Sequence, residues 1–272
     1  MINPSDVKIA IIGAGNVATH FARILKSHGF QLLQIYSRTQ TSAMALAYEL
    51  DVEYTCDIHT VTSNADLYIV SLKDSVLHTV LPELVQRNTH ALYIHTAGSV
   101  PMDIWKGLTT RYGVVYPMQT FSKSKPVVFD ELPIFIESNN EEDSNWLQQL
   151  FSTLSSKVRY ASSEQRKYLH VAAVFACNFT NHIYAVCNEL LQAHGLPFDS
   201  MLPLIDETAR KVHTLSPIDA QTGPAQRNDS NIMHAHIQML EQHPEAQEIY
   251  RLLSSGIRRL SNPTDPNNKN NE

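Results

Sequence analysis

Apolar residues over the first 160 positions alternate between two textures. Short runs rich in β-branched and aromatic residues, such as KIAII at 8–12 and LYIV at 67–70, stand apart from longer stretches in which apolar positions recur every three or four residues. The short runs read as buried strands and the longer ones as amphipathic helices. The spacing predicts strands near 7–13, 31–37, 67–72, 91–95, 112–116, 133–137 and 157–160, and a short one fits 53–55. It predicts helices near 16–28, 40–50, 74–87, 101–109 and 141–155. Strand and helix in alternation imply a parallel sheet, so the fold class is α/β.

After Ser162 the pattern changes. From Glu164 to His194 it is helical and strongly apolar, with neither Gly nor Pro before Gly195-Leu196-Pro197. Further helices fit 198–214, 230–242 and 245–260, and the tail SNPTDPNNKNNE holds no large apolar residue. The expected layout is a dinucleotide-binding domain over 1–161, an all-helical domain over 162–260 and a disordered tail over 261–272, with no obvious internal repeat. A helix that is apolar on most faces must be buried on most faces. The 164–194 helix is too apolar for the surface of a small monomer, so the helical domain is expected to form a homodimer across a two-fold axis.

The first strand-to-helix junction carries the strongest motif. Ile9, Ile11 and Ile12 lead into Gly13-Ala14-Gly15-Asn16-Val17-Ala18, and Phe21, Ala22, Ile24 and Leu25 then form a helical apolar face. In such a turn Gly13 permits the tight bend, and Gly15 lets a pyrophosphate approach the backbone. Ala18 lets the helix pack close to the sheet. The free N–H groups of the helix start, from Asn16 and Val17 onward, face the phosphates. The second strand ends in Ser37-Arg38-Thr39, where an NAD site usually places Asp or Glu. Cationic and hydroxyl donors suit a 2′-phosphate, so NADP is favoured over NAD. The plainer alternative is that Arg38 is a solvated residue opening a helix at Gln40.

Bulk composition narrows the classes. The chain has 272 residues, 43% hydrophobic content and a net charge of −6 from 21 basic and 27 acidic residues. No basic block or stripe marks a nucleic-acid surface. The N-terminal segment has no apolar core of signal-peptide length, and no apolar run reaches membrane-spanning length, so a cytoplasmic location is expected. Cys56, Cys177 and Cys187 form no CxxC pair and are expected to be small buried apolar residues. Cys177 and Cys187 fall about 15 Å apart along one predicted helix and cannot bridge within it.

Ligands of open α/β sheets sit outside the carboxyl ends of the strands. Ser71-Leu72-Lys73 follows one strand and should border the nicotinamide ribose; Ser71 or Asp74 could equally cap the next helix. His95-Thr96-Ala97-Gly98-Ser99 follows another. His95 could donate to a substrate carbonyl or imine nitrogen, or be satisfied by backbone. Gln119, in YPMQTF at 116–121, could orient substrate or cofactor, or sit idle beyond a rigid Pro turn. His170, Asn178, Asn181 and His182 interrupt the long apolar helix. His170 and Asn178 lie two steps of four apart, near one face, and need a ligand or a helix–helix hydrogen-bond network. Arg227, in TGPAQRND at 222–229, could clamp a carboxylate or phosphate or form a surface ion pair, and Asn228 or Asp229 can cap the helix that follows. His234 and His236 diverge on their helix, and no metal site is expected.

GAGNVA, the Ser-Arg pair and the helical second half resemble the NADP oxidoreductases of the pyrroline-5-carboxylate reductase, ketopantoate reductase and 6-phosphogluconate dehydrogenase superfamily. HTAGS at 95–99, YPMQTF, HVAAVFACN at 170–178 and TGPAQRND resemble a bacterial group within it. That group joins an NADP oxidoreductase-like Rossmann domain to a C-terminal domain of unknown function. The resemblance implies a dimer built through a 6-phosphogluconate dehydrogenase C-terminal-like helical domain, with substrate in the cleft between domains. In the hydroxyacid dehydrogenase and ketopantoate reductase branches it also implies an acid–base Lys four residues before a helical Asn. If Asn178 is that Asn, the Lys position holds Val174, which leaves His170 as a stand-in and weakens alcohol oxidation relative to imine reduction.

The leading expectation is an NADP(H)-dependent oxidoreductase acting on a small polar imine, ketone or hydroxyacid. Gly13, Ala14, Gly15, Asn16 and Val17 would hold the pyrophosphate, and Ser37, Arg38 and Thr39 the 2′-phosphate. Ser71, Leu72, Lys73, Thr96 and Ala97 would lie along the nicotinamide side, with His95, Gln119, His170, Asn178 and Arg227 toward substrate. Two alternatives are a non-catalytic NADP(H) sensor or partner-binding module, and a dimeric scaffold that binds no dinucleotide.

Overall fold

Eight strands form one sheet in the order β3-β2-β1-β4-β5-β6-β7-β8. They are β1 (Lys8–Ile12), β2 (Gln31–Tyr36), β3 (Glu53–Thr55), β4 (Leu67–Val70), β5 (Leu92–His95), β6 (Tyr112–Pro117), β7 (Ile134–Ser138) and β8 (Val158–Tyr160). The computed structural model describes residues 2–261. Helices α1 (Asn16–Ser27), α2 (Gln40–Leu50), α3 (Asp74–Leu84) and α4 (Glu141–Phe151) connect strands as the alternation predicts. The sequence turns back at β1, so the strand order reverses between β1 and β4 and opens a crevice at their carboxyl ends.

Period-two alternation sends β1 side chains to both faces. Ile9 and Ile11 join Phe21, Leu25, Leu147 and Phe151 in one apolar layer. Ala10 and Ile12 join Tyr68, Leu77, Leu81 and Trp105 in the other. Both faces of the sheet are therefore covered, as its near-continuous apolar strands require.

Two expectations need correction in this unit. The sheet is not wholly parallel, because β6 and β7 run antiparallel. Parallel neighbours need a crossover, and the connecting segment 118–133 contains no helix to supply one. The helix expected over 101–109 is only a 3-10 turn, Met102–Trp105. Pro101 opens it, Gly107 closes it at φ +82°, and the fully buried Trp105 pins it to the sheet.

The chain divides into two compact units, the first ending at Phe179 and the second beginning at Thr180. The boundary lies in the long apolar run, which folds as α5 (Ser163–Ala173), a π-helical stretch Val174–Phe179, and α6 (Thr180–Ala193). Ser162 starts α5 with a capping box closed by Gln165. Arg166, one turn on, pairs with Glu137 of β7 at 2.6 Å with both side chains buried, which fixes the start of α5 to the sheet.

The second unit also holds α7 (Leu202–Lys211), α8 (Ser230–Met239) and α9 (Pro244–Ser261). The helix expected over 198–214 starts as a 3-10 turn, Phe198–Met201, and becomes α-helical where Pro203 fits a first-turn position without an N–H. Among the described residues of this unit, the only buried apolar side chains are Ala225 and Met233. The cysteines depart from expectation. Cys56 and Cys177 are exposed and Cys187 is half-buried, because they lie on a loop and on helical stretches with little packed against them. The expected disorder of the tail concerns residues that, after Ser261, lie outside the described ones.

Candidate active site

The glycine turn sits at the carboxyl end of β1, where the strand order reverses. Gly13 has φ +128°, a conformation L side chains rarely adopt, and its N–H donates to the Tyr36 carbonyl at 2.8 Å. A Cβ there would lie 2.3 Å from the Ser71 carbonyl oxygen, so the bend accepts only glycine. Gly15 is different. It is the N-cap of α1, and a Cβ added to it would meet nothing within 4 Å. The free N–H groups of the first turn of α1 thus border open space that a side chain would occupy, the geometry that receives a pyrophosphate. Ala14 is buried and Val17 half-buried beneath this rim. The Asn16 amide is turned away, donating to the Phe121 carbonyl at 2.9 Å. His20 and Arg23 contact the carbonyls of Ser122 and Lys123 at 2.8 and 3.1 Å, so the segment after β6 is held along α1.

At the end of β2, Ser37 donates its N–H to Thr55 and accepts from the Thr39 N–H, while Arg38 and Thr39 are exposed. Burial raises the Tyr36 phenol pKa, with the acidic neighbours Glu83 and Asp57 adding to the rise and the Arg38 cation opposing it. The end of β4 is tied to its neighbours by the Ser71 N–H on the Ile12 carbonyl at 2.8 Å and by the Thr96 hydroxyl on Ser71 Oγ at 3.0 Å. Leu72 is half-buried and Lys73 exposed. Neither Ser71 nor Asp74 caps α3 as expected. Lys73 is the N-cap without a side-chain bond, because Asp74 instead accepts the Ser99 hydroxyl.

His95 is completely buried, its ring stacked over Trp105 at 6.3 Å, with Nδ1 accepting the Ala97 N–H at 3.2 Å. Burial, reinforced by the Arg166 charge and only partly opposed by the Pro101 carbonyl, lowers its pKa to about 3. It is a neutral residue inside the fold that shapes the loop carrying Thr96 and Ala97.

The next strand end brings together residues distant in sequence. The Tyr116 hydroxyl lies 3.2 Å from His170 Nδ1, and their rings meet edge-on at 6.1 Å. Gly98 supplies the room, since a Cβ there would stand 2.8 Å from the Tyr116 ring and 2.9 Å from His170 Nδ1. Burial and the nearby Cys177 raise the Tyr116 pKa, against Arg166, so its hydroxyl keeps its proton at neutral pH. The sequence carried a signal for Tyr116, a hydroxyl-bearing side chain at the end of a buried strand, but nothing that paired it with His170.

Gln119 is exposed, and its carbonyl oxygen accepts the Thr120 N–H at 2.8 Å. Asn178 is exposed within the π-helical stretch. Asn178 and Val174 both fall in this stretch, where bonding runs i→i+5, while His170 lies in α5 before it. In the second unit, Arg227 is exposed on a loop bent by Gly223 at φ +109° and Asn228 at φ +55°. Asp229, not Asn228, caps α8 through the Ile232 N–H. Among the described residues no three His, Cys, Asp or Glu side chains gather as a metal site.

Two family models match the chain. Residues 8–98 match the family described as NADP oxidoreductase, coenzyme F420-dependent, and residues 132–257 match a domain of unknown function, DUF2520. No curated protein matches the chain. A crystal structure from Bacteroides fragilis, designated a candidate NADP oxidoreductase, shares 53% identity over 94% of this chain and all of that one, with a TM-score of 0.89. An imine reductase from Myxococcus stipitatus in complex with NADP+ shares the fold at 13% identity and TM-score 0.69, covering 94% of this chain and 95% of that one. A pyrroline-5-carboxylate reductase from Coxiella burnetii does so at 18% identity and TM-score 0.59, covering 96% and 98%. With its glycine turn at the reversal of strand order and its C-terminal DUF2520 region, this chain belongs to the NADP oxidoreductase family.

Proposed function

We propose that the chain is an NADP(H)-dependent oxidoreductase that reduces a small polar imine or ketone, or runs the reverse reaction on the matching amine or alcohol. The observation that carries this reading is the contrast between Gly13, whose missing side chain the fold requires, and Gly15, whose missing side chain the fold does not use. A position kept bare without an internal reason fits a bound group at the start of α1. Gly13, Ala14, Gly15, Asn16 and Val17 would present backbone N–H groups to a pyrophosphate, and Ser37, Arg38 and Thr39 would bind a 2′-phosphate. Ser71, Leu72, Lys73, Thr96 and Ala97 would line the nicotinamide side. When bound, the reduced cofactor supplies hydride, and the protein's part is orientation and electrostatics. Gln119, Asn178 and Arg227 remain proposed substrate contacts, with an amide or guanidinium free to meet a polar group. His95 is given a positioning role through its loop.

The same reading includes a cytoplasmic homodimer. No helix among the described residues is long and apolar enough to cross a membrane. Tyr168, Leu204, Met239 and Leu252 are 79%, 62%, 73% and 72% exposed in the single chain, which favours their burial against a second copy. The test of function is NADPH oxidation by the purified protein with a panel of cyclic imines, ketones and hydroxyacids. Turnover of at least one substrate is expected with NADPH in preference to NADH; no turnover on any, in either direction, overturns the catalytic reading.

A further inference from the structure

Resting on that reading, we infer that Tyr116 is the residue that delivers a proton to the substrate heteroatom, with His170 as the group that resupplies it. Three observations place the pair. Tyr116 stands at the carboxyl end of β6, on the edge of the sheet where ligands of this fold bind. Strands in a sheet are about 4.8 Å apart, so β6 lies roughly 10 Å from β4, whose end carries the residues proposed for the nicotinamide side, and roughly 14 Å from the glycine turn at β1. The pair is also built rather than incidental. The hydroxyl and Nδ1 are 3.2 Å apart, and the chain lacks a side chain at Gly98, where a Cβ would strike both rings.

The chemistry follows from the bond between them. A protonated His170 donates its Nδ1–H to the phenolic oxygen, which leaves the Tyr116 hydrogen free to point at a substrate. As the new C–H bond takes up the hydride, the π pair of C=N or C=O moves onto nitrogen or oxygen. That atom forms a bond to the Tyr116 hydrogen as the Tyr116 O–H bond breaks. The phenolic oxygen takes the Nδ1 proton, and the half-buried imidazole regains one from water. The two electrons gained by the substrate are those of the hydride, lost by the reduced nicotinamide, and no protein group changes oxidation state. A built proton donor suits a ketone or a neutral imine, whose product must gain a proton, better than a preformed iminium. The charged and titratable groups whose fields reach Tyr116 are Arg166 and Cys177, besides His170 itself.

The test uses the full chain with NADPH and two probes, 2-methyl-1-pyrroline and pyruvate, for wild type, Tyr116→Phe, His170→Gln and Gly98→Ala. Tyr116→Phe is expected to lower kcat at least ~100-fold while NADPH affinity, read by calorimetry, stays within about twofold. His170→Gln should lower kcat roughly tenfold, and free imidazole added to the assay should restore part of the loss. Gly98→Ala, which keeps both functional groups but drives them apart, should fall with Tyr116→Phe. Independently of turnover, the ring 15N signals of His170 should shift in Tyr116→Phe, which removes the hydroxyl 3.2 Å from Nδ1. Wild-type turnover retained within threefold by Tyr116→Phe, or unmoved His170 ring signals, overturns the assignment and leaves the oxidoreductase reading intact. Binding of NADPH without turnover of either probe overturns the assignment; absence of NADPH binding overturns the reading beneath it as well.

Discussion

The two units of this chain use apolar residues in opposite ways. In the first, Ile9, Ile11, Phe21, Leu147 and Phe151 are almost wholly buried on one face of the sheet. In the second, helices of comparable apolar content expose Leu204, Met239 and Leu252, and among the described residues only Ala225 and Met233 are buried apolar side chains. A sheet covered on both faces closes its own core. A set of helices whose apolar faces stay open needs a surface from elsewhere, which the proposed homodimer would supply. The first unit closes its own core, while the second is expected to owe its stability to the proposed assembly.

The sharpest way to break this contrast is to cut into each unit once. Phe151→Ala, which removes a buried ring packed edge-on against Phe21, is expected to cost about 3–5 kcal/mol in urea unfolding. Leu252→Asp alters a side chain already 72% exposed. It should leave the stability of an isolated chain within about 0.5 kcal/mol, yet convert a dimer to monomer in sedimentation and abolish any rise of the unfolding midpoint with protein concentration. A wild-type monomer whose midpoint ignores concentration would remove the contrast.

A second difference concerns pH. His95 has a folded pKa of about 3 against 6.5 in its ordinary state. Between those values the unfolded chain binds the extra proton, so stability contributed by this site is full above pH 6.5 and is lost as pH falls toward 3. His95→Leu should flatten the acid side of the stability curve relative to wild type in chemical unfolding at several pH values. Parallel curves would mean that His95 is not buried neutral. A smaller effect is expected at the cofactor rim. Arg38→Ala should lose one charge-assisted contact, about 1.5–3 kcal/mol, and so cut the preference for NADPH over NADH by roughly 10- to 100-fold in paired titrations. An unchanged preference would place the 2′-phosphate elsewhere.

Much of the first unit was legible because its signals are local. Apolar runs and helical periods located the eight strands, and Gly13-Ala14-Gly15 marked the turn because backbone conformation and helix start are encoded within a few residues. What stayed hidden depends on contacts between distant residues. The antiparallel β7 follows from a connection that contains no helix, a choice that the strand's own sequence does not encode. The π-helical stretch at Val174–Phe179 interrupts what the apolar period alone reads as one continuous α-helix. Tyr116 and His170 are 54 positions apart, and only the folded sheet and the cap at Ser162 bring them together. His95 is a titratable residue in a strand, and its sequence does not encode the complete burial that the folded sheet and Trp105 give it.

The central claim, that the bare rim at Gly15 exists for a dinucleotide, is tested most directly by calorimetric titration of wild type, Gly13→Ala and Gly15→Ala with NADPH and NADH. The account expects selective NADPH binding by wild type. Gly15→Ala should keep wild-type stability and lose NADPH affinity, because its Cβ meets no protein atom within 4 Å. Gly13→Ala should lose stability and binding together, because its Cβ would strike the Ser71 carbonyl. Binding of neither nucleotide by wild type, or a Gly15→Ala variant that binds NADPH as wild type does, would contradict it.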